Sequence, residues 1–379
     1  MRTAVFAIVS FGVLSALVTT ALLGQEAEAC TGLRVHLKDG TAVHGRTLEF
    51  GAPLDSQAIL VPKGAAYTGT LPENGKGLQW TARYAAMGMS PGPYPFLVDG
   101  LNDAGLGGGL FYFPGCASYA AVTAESATRS VAPHEFVTWA LTTMGSVSEL
   151  RSAVQTGAVA IAPTPITLGE ISGVQPVHFV FYDKDGTSIV IEPTNGTLVV
   201  HDNPLGVLTN TPEFDWHMKN LHAYSNLATV QGAPLTLDSV RLEPWGQGAS
   251  LHGLPGDFTP ASRFVRAAIF SASAPVSESR EDAVMQAFHL LNNFDLPNGS
   301  CGSPTPNGVA FDITEWTVVR DPVAMRYYFR TRENQGIGYM EFGMFDPMAT
   351  AAVLKPLPMK QVFTPFGGTA ATASGSVAR

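Results

Sequence analysis

Charge is scarce in this sequence, and basic charge most of all. Asp, Glu, Lys and Arg make up 14% of 379 residues, with 22 Lys+Arg against 31 Asp+Glu and a formal net charge of −9. No dense Lys/Arg run is present, so the basic patch of a nucleic-acid binder is missing and no nucleic-acid partner is expected. Cysteine is nearly absent: Cys30, Cys116 and Cys301 are the whole complement. Cys-x-x-Cys, His-Glu-x-x-His, Gly-x-Ser-x-Gly and Gly-x-x-x-x-Gly-Lys do not occur, and the nine His are scattered without metal-ligand spacing. Zinc-site, serine-elbow and phosphate-loop chemistry therefore lack their signatures, and neither a metal nor an organic cofactor is expected. Gly105 to Gly109 imitates a dinucleotide loop, but its third glycine is misplaced and no helical pattern follows at once.

What the chain has is 45% hydrophobic residues with 39 Gly and 27 Pro, enough for a sizeable core in a loop-rich, sheet-rich protein. The N-terminus reads as an export signal. Arg2 precedes an apolar stretch from Ala4 to Leu23, followed by Ala27-Glu28-Ala29 and then Cys30. That order is a secretory leader over 1–29 cut after Ala29, and it implies a periplasmic or secreted protein. No later apolar run approaches the roughly 18 residues of a membrane span, so no membrane partner is expected once the leader is gone.

Cleavage there would make Cys30 residue one, carrying a thiol and an α-amine together. An α-amine titrates near 7.7–8.0, and it can take the thiol proton and later return it to a leaving amine. An incidental cysteine or half of a disulfide is the plainer alternative. The odd cysteine count leaves one thiol over, and a Cys116–Cys301 bridge would fit without being required. After Cys30 the residues alternate to Lys38, Asp39-Gly40 is a two-residue hairpin signal, and Thr41 to Phe50 reads as the return strand. With Lys38 opposite Thr41, Cys30 faces Glu49, while Arg46 has the wrong parity and needs a bulge to reach Cys30.

Cys30-Thr31-Gly32-Leu33 followed by Gly45-Arg46-Thr47-Leu48-Glu49 resembles the choloylglycine hydrolase family, which holds bile salt hydrolases and penicillin V acylases. DGLNDAGLGGGLFYFPG (99–115), GVLTNTPEFDWH (206–217), GQGASLHGLPGDFTPASRF (246–264) and TEWTVVRD (314–321) extend the likeness over nearly all of the chain after the leader. The resemblance implies Cys30 as nucleophile, Arg46 as the arginine that stabilises its thiolate, and Asn210 as oxyanion-hole donor. It implies Arg263 as a further site residue and the Tyr112 backbone N–H as second oxyanion donor. Where the family has an aspartate touching the α-amine this sequence has Glu49, one methylene longer. Asp215 and His217 are read as structural residues rather than as members of a triad.

Strand signals recur at Val177–Asp183, Ser188–Glu192, Trp316–Arg320, Arg326–Arg332 and Gly338–Phe342, with helical patterns at Pro133–Met144, Ser146–Val154 and Asp282–Asn293. Hairpins with grouped helices indicate an antiparallel α+β layer fold. The resemblance implies the four-layer αββα sandwich of N-terminal-nucleophile hydrolases, with Cys30 at the end of a central strand. One domain is expected over 30–365 and a disordered Gly/Ala/Thr/Ser-rich tail over 366–379. Leu221 to Glu243 matches in length the hairpin by which relatives form tetramers, so a homotetramer is expected. The expected activity is hydrolysis of a small-molecule linear amide, a conjugated bile salt or penicillin V, with acyl-homoserine lactones as a further candidate. The non-enzyme alternative is a secreted binding protein, lipid-anchored through Cys30.

Overall fold

The structure, a computed structural model, describes residues 29–169, 171–305 and 308–363. The expected leader, apart from Ala29, and the expected tail lie outside them. The core strands in chain order are β1 (Cys30–His36), β2 (Ala42–Phe50), β3 (Gln57–Val61), β4 (Ala86–Ser90), β5 (Asp99–Asn102), β6 (Gly107–Tyr112), β7 (Val177–Tyr182), β8 (Ser188–Thr194), β9 (Thr197–Asp202), β10 (Ile313–Asp321), β11 (Arg326–Thr331), β12 (Gly338–Glu341) and β13 (Val353–Pro356). The main helices are α1 (Phe136–Thr143), α2 (Val147–Gln155), α3 (Phe214–Asn220), α4 (Pro260–Ser273) and α5 (Arg280–Leu291).

Two antiparallel sheets result. One has the order β1-β2-β10-β11-β12, the other β9-β8-β7-β6-β5-β4-β3-β13. β2 is buried at all nine positions, as a strand covered on both faces must be. One face of the first sheet meets Phe111, Val180 and Val190 of the second, and Phe264, Val284 and Phe288 of α4 and α5 join the same core. The far face of the second sheet, with Phe179, Phe181 and Ile189, is closed by Phe136 and Leu141 of α1 and Leu150 of α2. The layers are therefore helix, sheet, sheet and helix, the expected αββα sandwich.

Local chemistry sets the helix ends. Ser146 caps α2 by accepting the Glu149 N–H at 3.1 Å, while the Glu149 carboxylate takes the Gly145 N–H at 2.8 Å instead of closing the box on Ser146. Thr259 caps α4 ahead of Pro260, and Ser279 caps α5, which starts two residues before the expected Asp282. Pro133–Glu135 forms a 3₁₀ turn rather than the first turn of α1.

Two expectations about Cys30 are corrected. The β1–β2 turn holds three residues, not two: Leu37 pairs with Thr41, and Gly40 has φ +82°, a left-handed value that suits glycine. Asp39 Oδ1 accepts the Thr41 N–H at 2.9 Å and fixes this longer turn. The register therefore slips by one, so that Cys30 pairs with Leu48 and Gly32 with Arg46. A one-residue slip exchanges the faces, which puts Arg46 and not Glu49 on the side of Cys30. Second, β1 is the edge strand of its sheet rather than a central one. Near Cys30 its outer edge is covered by a bridge in which Gly32 and Leu208 exchange both backbone hydrogen bonds at 2.8 and 3.2 Å, and at the far end Ser277 bridges Leu37.

Candidate active site

The Gly32–Leu208 bridge sets the first site residue. Two steps from it in an antiparallel pairing, Cys30 stands opposite Asn210. The Asn210 side chain closes the gap: Oδ1 accepts the Cys30 backbone N–H at 2.8 Å, and Nδ2 donates to the Tyr112 carbonyl at 2.8 Å. An amide nitrogen carries two hydrogens, so a second one remains to be aimed at a ligand. Arg263, from the first turns of α4, is buried behind this pair. Its Nη2 donates to Asn210 Oδ1 at 2.6 Å, its Nη1 to the Cys30 carbonyl and to Thr31 Oγ1 at 2.9 Å, and its Nε to the Phe258 carbonyl at 2.9 Å. One guanidinium thus fixes the backbone of Cys30 and the orientation of Asn210.

Arg46 reaches Cys30 from β2. Its Nη2 lies 2.9 Å from Cys30 Sγ, and its Nη1 donates to the Leu110 carbonyl at 2.5 Å. The planar group lies over the Phe111 ring at 4.1 Å and near the Trp316 ring at 5.3 Å, and Asp99 Oδ2 stands 3.8 Å away. Gly32 makes room for this stack, since a Cβ there would come within 2.9 Å of the Phe111 ring. A guanidinium that keeps its charge, held against a thiol in a dry setting, favours the thiolate. Asp99 is fully buried and shared with Arg320 at 3.3 Å and with the Tyr327 hydroxyl at 2.8 Å. Burial raises its pKa against the pull of Arg320 and Arg46.

Glu49 takes a position that the register slip alone does not describe. Pairing of β2 with β10 shifts between Leu48 and Glu49, so that Leu48 faces Trp316 and Glu49 faces Thr314. The carboxyl is buried, accepts the Thr314 hydroxyl at 3.1 Å through Oε1 and lines the cavity that holds Cys30. Burial pushes its pKa up to about 8, against the opposing charge of Arg263. The Glu49 backbone N–H donates to the Ala29 carbonyl at 2.9 Å, gripping the peptide bond before Cys30.

The cavity is a slot of about 60 Å³, lined by Cys30, Arg46 and Glu49 at one end and by Leu54, Phe96, Val98, Leu168 and Val177 further along. Tyr112 lines it too. Phe113 donates its N–H to the Pro176 carbonyl at 2.7 Å, and alternation along the strand turns the preceding Tyr112 N–H to the opposite edge. His134, which no local motif singles out, also lies in this wall. Its ring packs 4.9 Å from Phe96.

Behind Asn210 lies a set of polar side chains from distant segments. His217 Nε2 lies 2.9 Å from the Asn210 carbonyl oxygen and stacks on Phe264, and burial lowers its pKa to about 4. His178 Nε2 lies 3.0 Å from the Thr209 carbonyl and its Nδ1 3.1 Å from Glu192. Glu192 also takes the Phe214 N–H at 2.9 Å and pairs with His201, which reaches Asp215 at 3.3 Å. Asp215 and His217 therefore brace the Asn210 loop and form no triad with Cys30. Cys116 and Cys301 are free thiols, so the bridge left open by the cysteine count is not formed. Among the described residues no group of three or more His, Cys, Asp or Glu is placed to hold a metal ion, and no helix is long and apolar enough to cross a membrane.

The αββα sandwich, with a buried cysteine at the start of β1 ringed by Arg46, Asn210 and Arg263, defines the N-terminal-nucleophile hydrolase class. Residues 30–345 match the family of linear amide C–N hydrolases called the choloylglycine hydrolase family, and the chain belongs to it as a linear amide C–N hydrolase. It is 33% identical over 314 residues to a bile salt hydrolase/transferase of Clostridium perfringens, covering 82% of this chain and 92% of that protein. It is 29% identical over 273 residues to a conjugated bile acid hydrolase of Lactobacillus gasseri, covering 72% and 83%. A solved conjugated bile acid hydrolase from C. perfringens is similar with a TM-score of 0.77 at 30% identity, over 89% of this chain and 99% of that one. A penicillin V acylase from Agrobacterium tumefaciens shares the fold, with a TM-score of 0.67 at 19% identity over 86% and 91%.

Proposed function

We propose that this is an exported cysteine amidohydrolase that works through an acyl-thioester on Cys30. The observation that carries the reading is the 2.9 Å contact between Arg46 Nη2 and Cys30 Sγ at the end of an apolar slot. Removal of the leader after Ala29 frees the Cys30 amine. Cys30 Sγ attacks the amide carbonyl, and the oxygen that takes up the charge is held by Asn210 Nδ2 and the Tyr112 N–H. The α-ammonium returns its proton to the leaving amine as the C–N bond breaks. Water then adds to the thioester, the amine takes its proton, and the acid leaves with the thiolate restored. Glu49, once next to an ammonium, holds it in place. Conjugated bile salts and penicillin V are the proposed substrates, as the likeness to bile salt hydrolases and the acylase fold support.

A second reading, an N-acyl-homoserine-lactone acylase, is favoured by the width of the slot. Sites for drug-sized ligands typically enclose about 300–1,000 Å³, and about 60 Å³ is open beside Cys30. The protein is also proposed to be a homotetramer. Leu235–Leu237 and Val240–Leu242 form a small exposed hairpin, and Trp245 beside it is 98% exposed, an apolar excursion that a partner subunit would cover.

The test is hydrolysis of glycocholate, taurocholate, penicillin V and an acyl-homoserine lactone by protein whose N-terminal mass shows Cys30 first. Turnover that disappears in Cys30→Ser, with the far-UV spectrum unchanged, is the expected result. Full activity of Cys30→Ser would overturn the mechanism. Light scattering of the same sample checks the tetramer.

A further inference from the structure

We infer that His134 reads the acyl half of the substrate, and that the protein prefers a slender acyl group carrying an oxygen that can accept a hydrogen bond. The inference rests on the amide-hydrolase reading above and deepens it. His134 is 9% exposed, and it lines the same slot as Cys30 among Leu54, Phe96, Val98 and Leu168. Its Nδ1 is buried with no hydrogen-bond partner among the described residues. A polar ring atom left so in an apolar wall costs free energy in the empty protein, which is tolerated where a ligand completes it. Cys30, Arg46 and Glu49 surround the sulphur and belong to the reacting end, while Tyr112 and Gln175 are the other polar side chains of the lining, Gln175 donating to the Gly173 carbonyl at 3.4 Å. His134 sits among the apolar residues that must contact the acyl chain.

The state of the ring fits this role. Burial lowers its pKa, with Glu135 pulling the other way, so the neutral imidazole prevails at neutral pH. A neutral ring has one N–H donor and one acceptor. It can donate to an ether, keto or hydroxyl oxygen without setting a charge in the slot. Shape narrows the class further. A slot of about 60 Å³ takes an aryloxyacetyl group or an oxygenated straight chain more readily than a fused-ring acid. Tilted contact with Phe96, ring centroids 4.9 Å apart, limits the rotation of the imidazole, so the donor direction is preset.

Two amides that differ in one atom test this: phenoxyacetyl-p-nitroanilide and 3-phenylpropanoyl-p-nitroanilide, an ether oxygen against a methylene. The full-length chain is expressed, purified after processing and assayed on both. The wild type is expected to show kcat/KM about tenfold higher for the ether, the size of one hydrogen bond completed at a buried group. His134→Phe, which keeps a ring against Phe96, should bring the ratio to about one, and His134→Gln, which keeps a donor, should retain part of it. A ratio within one preparation is insensitive to how much of a variant folds. A wild-type ratio near one, or a ratio unchanged in His134→Phe, overturns the inference and leaves the amidase reading standing. No turnover of either amide by a wild type with Cys30 first overturns both.

Discussion

Asn210 stands opposite Cys30 across the outer edge of β1 and accepts its backbone N–H at 2.8 Å through Oδ1. The same oxygen takes the Arg263 guanidinium at 2.6 Å, so the amide is pinned with its nitrogen toward Tyr112 and the slot. A flipped amide would set two donors against each other, so the orientation is fixed by charge and not by packing alone.

From this pairing, Asn210→Ala is expected to lower kcat by about 10² to 10³, the usual cost of one oxyanion donor. Asn210→Asp separates the two jobs of the side chain. It keeps an acceptor for Arg263 and Cys30 and removes the N–H, so its kcat should fall as far as that of the alanine variant while its melting temperature stays above it. Steady-state rates and thermal melts of the two variants check this.

Glu49 makes stability fall with rising pH. Burial lifts its pKa in the folded chain to about 8, above the ordinary value of 4.5. The folded state therefore binds the proton more tightly. The stabilisation is complete below about pH 4.5 and is lost as pH rises toward and through 8. Glu49→Gln removes this dependence, so the variant should gain melting temperature on the wild type between pH 5 and 8.5. The measurement is made on a chain starting at Gln25, in which the Cys30 nitrogen is an amide. In the processed protein the new ammonium should favour the carboxylate and shrink the effect, and an equal effect in both forms would deny contact between the two groups.

Glu192 works in the opposite sense. Burial alone would raise its carboxyl, but hydrogen bonds from His178 and His201 outweigh that and hold it at about 2. Its contribution is present above pH 4.5 and lost as pH falls toward 2. His201 is raised by the hydrogen bond to Glu192, so its own share is present below its ordinary 6.5 and lost at higher pH. Glu192→Gln should cost about 3 kcal/mol near neutral pH, the scale of breaking a buried ion pair. Because His178 and the Phe214 N–H link Glu192 to the Thr209–Asn210 segment, kcat should fall about tenfold with KM little changed. Urea melts and kinetics on one preparation read both.

The residues that carry the chemistry were more legible than their geometry. Cys30, Arg46, Asn210 and Arg263 lie in stretches that resemble a known family, and the fold brings all four together. The register of β1 and β2 was not readable, because Asp39-Gly40 suits both a two-residue and a three-residue turn. The choice is made by the Asp39 side chain closing on the Thr41 N–H. That single residue reversed which of Arg46 and Glu49 shares a face of the sheet with Cys30. Helix α4 was missed although Thr259-Pro260 is a start signal, a cap followed by proline at the first position. His134, Asp99 and Glu192 had no local signal, since their roles arise where separate segments meet.

Above the slot, the segment from Pro91 to Phe96 and the strand Ile166–Leu168 are tied by one bond, the Tyr94 hydroxyl donating to the Thr167 carbonyl at 2.6 Å. Pro91 and Phe96 line the slot from one segment and Leu168 from the other, so this bond limits its width. Neither segment is paired to the other by a backbone ladder in the two main sheets. Loss of the bond should cost about 1 kcal/mol and let the segments part. Tyr94→Phe keeps the ring beside Phe96 and removes the donor. It should raise kcat/KM for taurocholate relative to penicillin V by about fivefold, because the wide steroid gains more from a parted slot than the narrow phenoxyacetyl group. The ratio of the two rates, in wild type and variant, decides it: an unchanged ratio would mean that the tie does not set the width, and a ratio moved toward penicillin V would mean that it holds the slot open.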